Sequence, residues 1–573
     1  MNTVSVSRLW IGLDKPIFYS FVSPKLSLYN IEKDGSKKKS TKVINQNNYI
    51  FYCNTKLKRV FVQGDPEVGK STFLAKLVID WCNAVSLHTN DNNTTFSDAD
   101  RLKEFQFRFH ISLRDVIGKR DVIEMIKAQI IDNMYMGAKQ TKQFELLQQI
   151  LERDTCLVTM DGLNAWTDHL NQHVVPRIPS SHTNCVSIIT TRPWKMAEER
   201  IKFSVIDRLL EIEGITDSEQ LTKNIILSLQ TGDKRTHTEF MTYVYERHFM
   251  HFLTSPLLQS LIVNVWMSET DVNGSLCEIN CILLDLLLKK ANAIEGSYKN
   301  GCSIECLSRT RYLMKQMKIV DALANSAFQF TFSSQKSLAF SEQELRKYLS
   351  KKHLQFCLQA GVLTARFKSV NVAQGPQFSF THETVQEFLA ALHIANSKQV
   401  LIEYFKPEHK CNVLEISQTV IYLYGLHCET ANTLLDRLVV GDFLSDISHG
   451  LSLYIKHYQE NVSVFQRDTY TMETVHKLKR NEMNYDGRCL AILVLFQRMV
   501  IAAFNEAKIS GQTDIFLNCM DFAFNEYLLD SDSRALKELL IFNRSNVRSL
   551  ILERNVLEVS EILSVMQQSK HSL

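Results

Sequence analysis

The stretch Gly64-Asp65-Pro66-Glu67-Val68-Gly69-Lys70-Ser71-Thr72 decides the fold class, because it matches the phosphate-loop pattern G-x-x-x-x-G-K-[ST] at every fixed position. It follows a short apolar run at 59–63 and opens a segment at 71–81 whose apolar residues recur with helical spacing. In such a loop the glycines let backbone N–H groups curl around a phosphate at the helix N-terminus. Lys70 neutralises the terminal phosphates and the Ser71 hydroxyl ligates Mg²⁺. The stretch therefore predicts a nucleotide-binding site.

Two later apolar runs end in charged residues that suit the same site. The run at 155–160 is followed by Asp161, which is where a P-loop protein carries the carboxylate that holds its magnesium. The run at 187–191 is followed by Arg192, and the carboxyl ends of parallel strands meet at one edge of a sheet, so this guanidinium can reach a phosphate. We predict that Ser71 and Asp161 hold the metal ion and that Arg192 contacts the nucleotide.

Strand and helix patterns alternate in the first 205 residues. The strand-like runs are 59–63, 105–111, 155–160 and 185–190, and this alternation predicts a largely parallel sheet with helices on both faces. The run at 105–111 alternates polar and apolar residues, which favours a position nearer the sheet edge.

Helical patterns dominate after residue 205. They cover 217–229, 246–266, 277–293, 311–328 and 341–349. Residues 361–380 read as two short strands around a turn, followed by a helix, which indicates a winged-helix unit. Residues 401–573 are predicted to be helical throughout.

The predicted fold class is an α/β P-loop NTPase domain, with a parallel sheet flanked by helices, followed by mainly α-helical domains that include a winged-helix unit. The predicted boundaries are a partly flexible N-terminal segment at 1–50, a nucleotide-binding domain at 51–205, a helical domain at 206–270, a winged-helix-like domain at 271–400 and a C-terminal helical domain at 401–573.

Composition narrows the classes of function. The 573 residues carry 65 Lys and Arg against 62 Asp and Glu, a formal charge of +3, so no chain-wide field attracts nucleic acid or anionic lipid. The longest apolar stretch, 489–504, is shorter than the roughly 20 residues of a membrane span and is predicted to be a buried helix. The 13 Cys are scattered and no secretory leader opens the chain, which predicts a reduced, cytoplasmic protein.

Five motifs together resemble a known family. They look like the NACHT nucleotide-binding module of NOD-like receptors, within the STAND class of signalling ATPases. In the order of that family they are Gly64–Thr72, Leu157–Trp166, Ile189–Trp194, Thr254–Leu258 and Phe378–Ala390.

The resemblance implies roles for two residues that the bare sequence reads differently. It implies that Pro256 packs near the adenine and that His382 hydrogen-bonds the β-phosphate of ADP, which locks a closed state. From the residues alone, Pro256 is a proline at a helix start and His382 is a first-turn residue of an amphipathic helix. Both interpretations stay open at this stage, and the implied cofactors are ATP or ADP with Mg²⁺.

The chain also departs from the family. Where the family carries a second Asp and then a Glu after the metal-binding aspartate, this chain has Asn164 and Ala165. Neither side chain can accept a proton from an attacking water, so we assign no catalytic residue and expect hydrolysis to be slow or absent. Too few residues precede Gly64 for a death-fold domain, and no leucine-rich repeat pattern follows.

The leading hypothesis is a NACHT switch that binds ATP or ADP and couples nucleotide state to opening and to self-association, or to association with other signalling proteins. The resemblance alone implies an innate immune or cell-death context. The alternatives are a hydrolytic P-loop ATPase, a scaffold with permanently bound nucleotide and, disfavoured by the charge of +3, a nucleic-acid translocase.

A zinc site formed by two pairs of cysteines, each spaced by four residues, is considered and not predicted, because the first pair fits an apolar helical pattern. These cysteines are Cys277, Cys281, Cys302 and Cys306.

Overall fold

A computed structural model provides the structure of the chain. The residues that it describes are 21–31, 37–44, 50, 57–85, 102–168, 174–197, 201, 203–229, 235–269, 272–291, 304–332, 338–366, 375–405, 412–439, 462–466, 488–513, 515, 521–524, 530–543, 547 and 549–553.

A twisted sheet forms the first part of the molecule. Its seven described strands are β1 (Pro24–Ile31), β2 (Lys37–Ile44), β3 (Arg59–Gln63), β4 (Phe107–Ser112), β5 (Cys156–Asp161), β6 (Cys185–Thr191) and β7 (Arg208–Ile215). They lie in the order β2-β1-β7-β3-β6-β5-β4. The strands from β7 to β4 are mutually parallel, whereas β1 and β2 are antiparallel to their neighbours. The predicted parallel sheet is confirmed, and β4 lies at its edge as expected.

Helices cover both faces of this sheet. They include α1 (Lys70–Val85), α2 (Val122–Ile126), α3 (Ala138–Arg153) and α4 (Pro193–Met196), and a helical turn at Asp132–Met134 precedes α3. Neighbouring residues of β6 point to opposite faces, so Ile188 belongs to one apolar cluster and Ile189 to another. All seven residues of β6 are buried, which explains its continuous apolar sequence.

The sheet extends beyond both predicted limits of the nucleotide-binding domain. Strand β7 lies after residue 205, and β1 and β2 lie before residue 51. Apolar residues of β1 and β7 share a core with β3, because Leu26 and Leu210 pack in the same cluster as Val60. In β7, Glu211 and Glu213 alternate with Leu210 and Ile212, which is a strand pattern that the prediction did not include.

The region after the sheet is mainly helical. Its helices are α5 (Ser218–Leu229), α6 (His237–Glu246), α7 (Pro256–Met267), α8 (Leu276–Lys290), α9 (Glu305–Ser308), α10 (Tyr312–Lys315), α11 (Met317–Phe332), α12 (Glu342–Leu345), α13 (Lys351–Ala360), α14 (Glu383–Asn396), α15 (Lys398–Tyr404), α16 (Ser417–Leu426), α17 (Cys428–Val439), α18 (Arg488–Ile509) and α19 (Asp530–Phe542). The single helix predicted for 246–266 is wrong: α6 ends at Glu246, a 3-10 turn follows, and α7 begins at Pro256. Proline lacks an N–H, so it starts this helix and does not continue the preceding one.

The winged-helix unit is present. Strands β9 (Leu363–Arg366) and β10 (Gln377–Phe380) form the predicted antiparallel hairpin, and β8 (Phe340–Ser341) adds a strand that was not predicted. Helix α14 follows β10 directly and packs against α11 and α16. The predicted fold class is confirmed: a domain with a largely parallel sheet flanked by helices is followed by a mainly helical region that includes a winged helix.

The prediction that residues 401–573 are helical throughout is wrong. Strands β11 (Val462–Gln466), β13 (Ser549–Glu553) and β12 (Asp521–Phe524) pair into a small sheet in that order. Residues from Leu221 to Leu550 belong to one apolar cluster, so the described parts of the predicted helical, winged-helix-like and C-terminal domains share one core. The run at 489–504 lies in α18, and among the helices that the structure describes none is long and apolar enough to cross a membrane.

Candidate functional site

The phosphate loop joins the carboxyl end of β3 to the first turn of α1. At Gly64, a Cβ would lie 2.9 Å from the carbonyl oxygen of Ile212 on β7, so the close approach of β7 requires glycine there. Gly69 has φ +96°, a left-handed backbone that glycine adopts without strain. Lys70 Nζ donates to the carbonyl oxygens of Gly64 at 2.8 Å and of Asp65 at 2.7 Å. The loop therefore curls back on its own lysine.

The predicted metal-binding pair lies at the opening of this loop. Ser71 Oγ donates to Asp161 Oδ2 at 2.7 Å, and Thr190 Oγ1 on β6 donates to Asp161 Oδ1 at 2.6 Å. The Gly162 N–H in turn donates to Thr190 Oγ1. Hydroxyl and carboxylate oxygens are ligands that Mg²⁺ prefers, so the two predicted groups fit this ion.

Arg192 follows β6 and meets the winged helix. Its side chain is only 5% exposed, with Nη2 at 2.9 Å from Glu383 Oε1 and Nη1 at 2.8 Å from Glu387 Oε1. Both acids lie on α14, so these ion pairs join residues nearly 200 positions apart. We refer to Arg192, Glu383 and Glu387 as the Arg192 cluster.

In this cluster one guanidinium pairs with two carboxyl groups, and the pKa values of Glu383 and Glu387 therefore differ. Against the effect of burial, the Arg192 charge lowers the pKa of Glu383. Burial raises the pKa of Glu387 to about 7 despite the same guanidinium, and the neighbouring Glu383 adds to the increase. The cluster therefore holds one carboxylate firmly ionised and a second that titrates near neutral pH.

His382 caps the N-terminus of α14. The Thr384 N–H donates to His382 Nδ1 at 3.3 Å, so the neutral ring carries its proton on Nε2. Burial lowers the pKa of His382 to about 4, and the charges of Arg192, Arg114 and Lys70 contribute, so the ring is neutral at pH 7. The sequence placed His382 in the first turn, and the structure places it one residue earlier, as the cap.

Pro256 lies beside the phosphate loop. It occupies the first position of α7, and Ser255 caps that helix by accepting from the Leu258 N–H. Pro256 Cγ lies 3.9 Å from the point that a Cβ on Gly69 would occupy, and Ser255 Oγ donates to the Glu67 carbonyl oxygen at 3.3 Å. The structure therefore brings the predicted residues of the loop, Asp161, Arg192, Pro256 and His382 to one edge of the sheet.

Several residues at this edge were not predicted from the sequence. They are Arg114, Thr190, Ser255, Glu383, Thr384 and Glu387. One signal was available: Glu387 stands among the apolar residues of an otherwise buried helix, and a buried acid requires a cation. Arg114 also had a positional signal, because it follows the carboxyl end of β4 as Arg192 follows that of β6.

The cysteines weighed for zinc lie apart from this edge, in the helical core. Cys281 Sγ and Cys306 Sγ are 3.6 Å apart, and Cys277 Sγ donates to the Tyr422 carbonyl oxygen, whereas Cys302 lies outside the described residues. Within the described part of the chain, no group of three or more potential metal ligands converges.

Among known proteins, only solved structures show a similarity to this chain. No model of a known protein family matches the chain, and no curated protein sequence matches it. The chain is similar to Cdc6p from Pyrobaculum aerophilum, with a TM-score of 0.24 and 11% identity over 60% of this chain and 90% of that one. It is similar to a STAND protein with a tetratricopeptide repeat sensor from Pyrococcus horikoshii, with a TM-score of 0.28 and 11% identity over 95% and 66% of the two chains. It is also similar to Drosophila ORC, in a structure bound to DNA, with a TM-score of 0.24 and 9% identity over 58% and 81%. Similarities this low do not establish a shared activity.

Proposed function

We propose that this chain is a switch that binds ATP or ADP with Mg²⁺ between the phosphate loop and the winged helix. The observation that carries the proposal is the Arg192 cluster, which joins the nucleotide-binding sheet to α14 through buried ion pairs. An arginine at the carboxyl edge of a P-loop sheet suits a phosphate, yet here its partners are two glutamates of another unit.

The residues at this edge fit the two ligands. Lys70 and the loop N–H groups would hold the phosphates, and the His382 Nε2–H is a neutral donor for a phosphate oxygen. Ser71 and Asp161 would hold Mg²⁺, which neutralises phosphate charge when bound. Burial together with the Arg192 charge lowers the pKa of Lys70 to about 8, so this lysine stays mostly protonated at pH 7.

Competition for Arg192 provides the switching step. The guanidinium can pair with Glu383 and Glu387 or with a terminal phosphate, and a triphosphate offers more negative charge at that edge than a diphosphate. A ligand shifts a conformational equilibrium only by its differential affinity for the two states. We therefore expect ADP to be compatible with the docked winged helix and ATP to favour its release.

We also propose a protein family and a signalling context for this switch. The five motifs quoted above support a NACHT module of the NOD-like receptor type, acting in the cytoplasm through self-association in innate immune or cell-death signalling. Asn164 and Ala165 lie in the turn that follows β5 and supply no proton acceptor, which favours a switch over a hydrolytic ATPase.

Bound nucleotide tests the proposal directly. The purified chain is denatured, and the released nucleotide is identified and counted by chromatography, with Lys70→Ala alongside. We expect near-stoichiometric ADP or ATP from the parent, little from the variant, and ATP turnover at background in both. Finding no nucleotide and no uptake of added ATP would contradict the proposal. Multiple turnover that vanishes in Lys70→Ala would establish the ATPase instead, and nucleotide that never exchanges would establish the scaffold.

A further inference from the structure

The winged-helix unit has a local excess of positive charge. Residues 345–382 contain six Lys or Arg and neither Asp nor Glu, whereas the whole chain has 62 acids among its 573 residues, so a span this long would hold about four on average. The span covers the end of α12, all of α13, both strands of the hairpin and the cap of α14. The formal charge of +3 therefore conceals one region in which acids do not balance the cations.

Helix α13 presents a polar face on one side. Lys351, Gln355 and Gln359 are spaced by four residues, so they share one face of the helix, and all three are exposed. Lys352 is exposed at the edge of this face. The opposite side anchors the helix through buried residues, which are Leu354, Cys357 and Ala360. The polar face is therefore available to a partner while the helix stays fixed to the protein.

The turn between α12 and α13 adds two cations to this face. Arg346 and Lys347 are exposed there, beside an open hollow of about 530 Å³. The lining residues of the hollow are Glu342, Gln343, Arg346, Lys347 and Lys351. Within the described part of the chain, no acid pairs with any of the four cations at 346, 347, 351 and 352. We refer to these four cations with Gln355 and Gln359 as the α13 surface.

We infer that the α13 surface binds double-stranded DNA, with α13 in the major groove. In a helix-turn-helix the second helix enters this groove while the first helix crosses the backbone. Helix α13 has 10 residues and is about 15 Å long, and the major groove is about 12 Å wide and admits a helix. The cations then face phosphates, and the Gln355 and Gln359 amides both donate to and accept from base edges, as glutamine does with adenine.

The composition of the α13 surface favours duplex DNA over other polyanions. A helix that lies on an anionic membrane carries exposed apolar residues as well as cations, but the exposed positions of α13 are Lys and Gln. Single strands are held by stacked aromatic side chains, and Tyr348 and Phe356 are partly buried against the helical core. The major groove of double-stranded RNA is too narrow for side chains to read. The inference goes beyond the proposed nucleotide switch and does not depend on it.

Fluorescence anisotropy of a labelled DNA duplex, titrated with the full chain, tests the inference. Four phosphate contacts predict that the affinity falls about a hundredfold between about 50 and 200 mM salt, because each contact releases about 0.9 counterions. In Lys351→Ala with Lys352→Ala two contacts remain, so the same change of salt should lower the affinity only about tenfold. Lys351→Arg with Lys352→Arg keeps both charges and should behave as the parent does.

The chain offers a matched control on α3. Lys139 and Lys142 are also exposed near the start of a helix. Lys139→Ala with Lys142→Ala removes the same charge from the chain and should leave the affinity and its salt dependence unchanged. Equal losses in the two alanine variants would show that only net charge matters, and would overturn the inference.

Gln355→Ala with Gln359→Ala distinguishes contacts in the groove from contacts with the backbone. The two amides carry no charge, so the salt dependence should stay that of the parent. We expect the parent to prefer an A·T-rich duplex over a G·C-rich duplex by about tenfold, and the variant to lose this preference, since a bidentate contact to a base discriminates by about that factor. Equal affinity of the parent for both duplexes would overturn the placement of α13 in the groove.

Three further outcomes would contradict the inference. They are no binding of duplex DNA by the parent at low salt, equal binding of single-stranded and duplex DNA, and binding of phosphatidylserine vesicles in place of duplex DNA. Circular dichroism of each variant shows whether it folds as the parent does, which we expect because every substituted side chain is exposed.

Discussion

Arg192 and Glu506 are both buried charged residues that join distant parts of the chain, but their surroundings differ. Arg192 pairs with Glu383 and Glu387 at the sheet edge, where Glu383 remains 29% exposed. Glu506, on α18, is 3% exposed and lies within the apolar core of the helical region. Its Oε1 accepts from the Ser275 hydroxyl at 2.6 Å and from the Cys277 N–H at 2.9 Å, and its Oε2 accepts from the Leu276 N–H at 2.9 Å.

The partners of the two residues explain the difference. Glu506 satisfies the N–H groups at the start of α8, and those donors have no mobile ligand to compete for them. Its fit is tight, because a Cβ on Gly425 of α16 would lie 2.7 Å from Glu506 Oε1 and from Cys277 Sγ. Arg192, by contrast, has partners that a phosphate can replace. The junction at Glu506 is therefore permanent, whereas the Arg192 cluster is exchangeable.

Removing Glu506 should give the largest effect. Glu506→Ala leaves two backbone N–H groups and a hydroxyl buried without their acceptor, so we expect the free energy of unfolding to fall by about 3 kcal/mol. Denaturant unfolding followed by circular dichroism measures this. Glu538→Ala is the control, because Glu538 of α19 forms an exposed pair with Lys508, which lies on α18 as Glu506 does. The loss of this pair should change stability by less than about 0.5 kcal/mol. Equal effects of the two substitutions would show that the junction at Glu506 is not structural.

The double variant Glu383→Gln with Glu387→Gln should affect ligand preference more than stability. The amide oxygens still accept from Arg192 but carry no charge, so the guanidinium becomes available to a terminal phosphate. We expect the ratio of ATP to ADP affinity to rise about tenfold, and the unfolding free energy to fall by less than in Glu506→Ala.

Equilibrium binding of the two nucleotides measures that ratio. Glu342→Gln is the control, because Glu342 is an acid of the winged-helix unit at the start of α12, away from Arg192. An unchanged ratio in the double variant would show that the Arg192 cluster does not discriminate between the nucleotides, and would leave it a structural contact like that of Glu506.

The sequence predicts some residues of the candidate site but not the buried partners that form the two junctions. The phosphate loop, Asp161 and Arg192 could be predicted, because each stands at the end of a strand or the start of a helix within a short motif. The partners Glu383 and Glu506 could not, because which group each one meets depends on how helices dock across more than 180 residues of chain. The strand β7 was also missed, although Leu210, Glu211, Ile212 and Glu213 alternate as in a half-buried strand. Glu211 accepts from the Gln63 side chain of the neighbouring strand.

The smallest expected effect is a pH dependence that distinguishes the two junctions. The pKa of Glu387 is about 7 in the folded chain and 4.5 in its ordinary state, so between these values the folded chain binds the proton more tightly. The free energy of unfolding should therefore fall as pH rises through this window. His382 acts in the opposite sense, since its pKa falls from 6.5 to about 4 and its contribution is lost on acidification. Above pH 6.5 the carboxyl groups dominate the pH dependence of the free energy of unfolding.

We expect Glu387 to lower the free energy of unfolding by about 1 kcal/mol between pH 6 and 8, as measured by urea unfolding. The variant Glu387→Gln should abolish that part of the slope. Glu67, with a pKa also raised to about 7, should keep its own share in the variant. A slope unchanged by Glu387→Gln would show that Glu387 does not lose its proton between pH 6 and 8 in the folded chain, which contradicts the prediction.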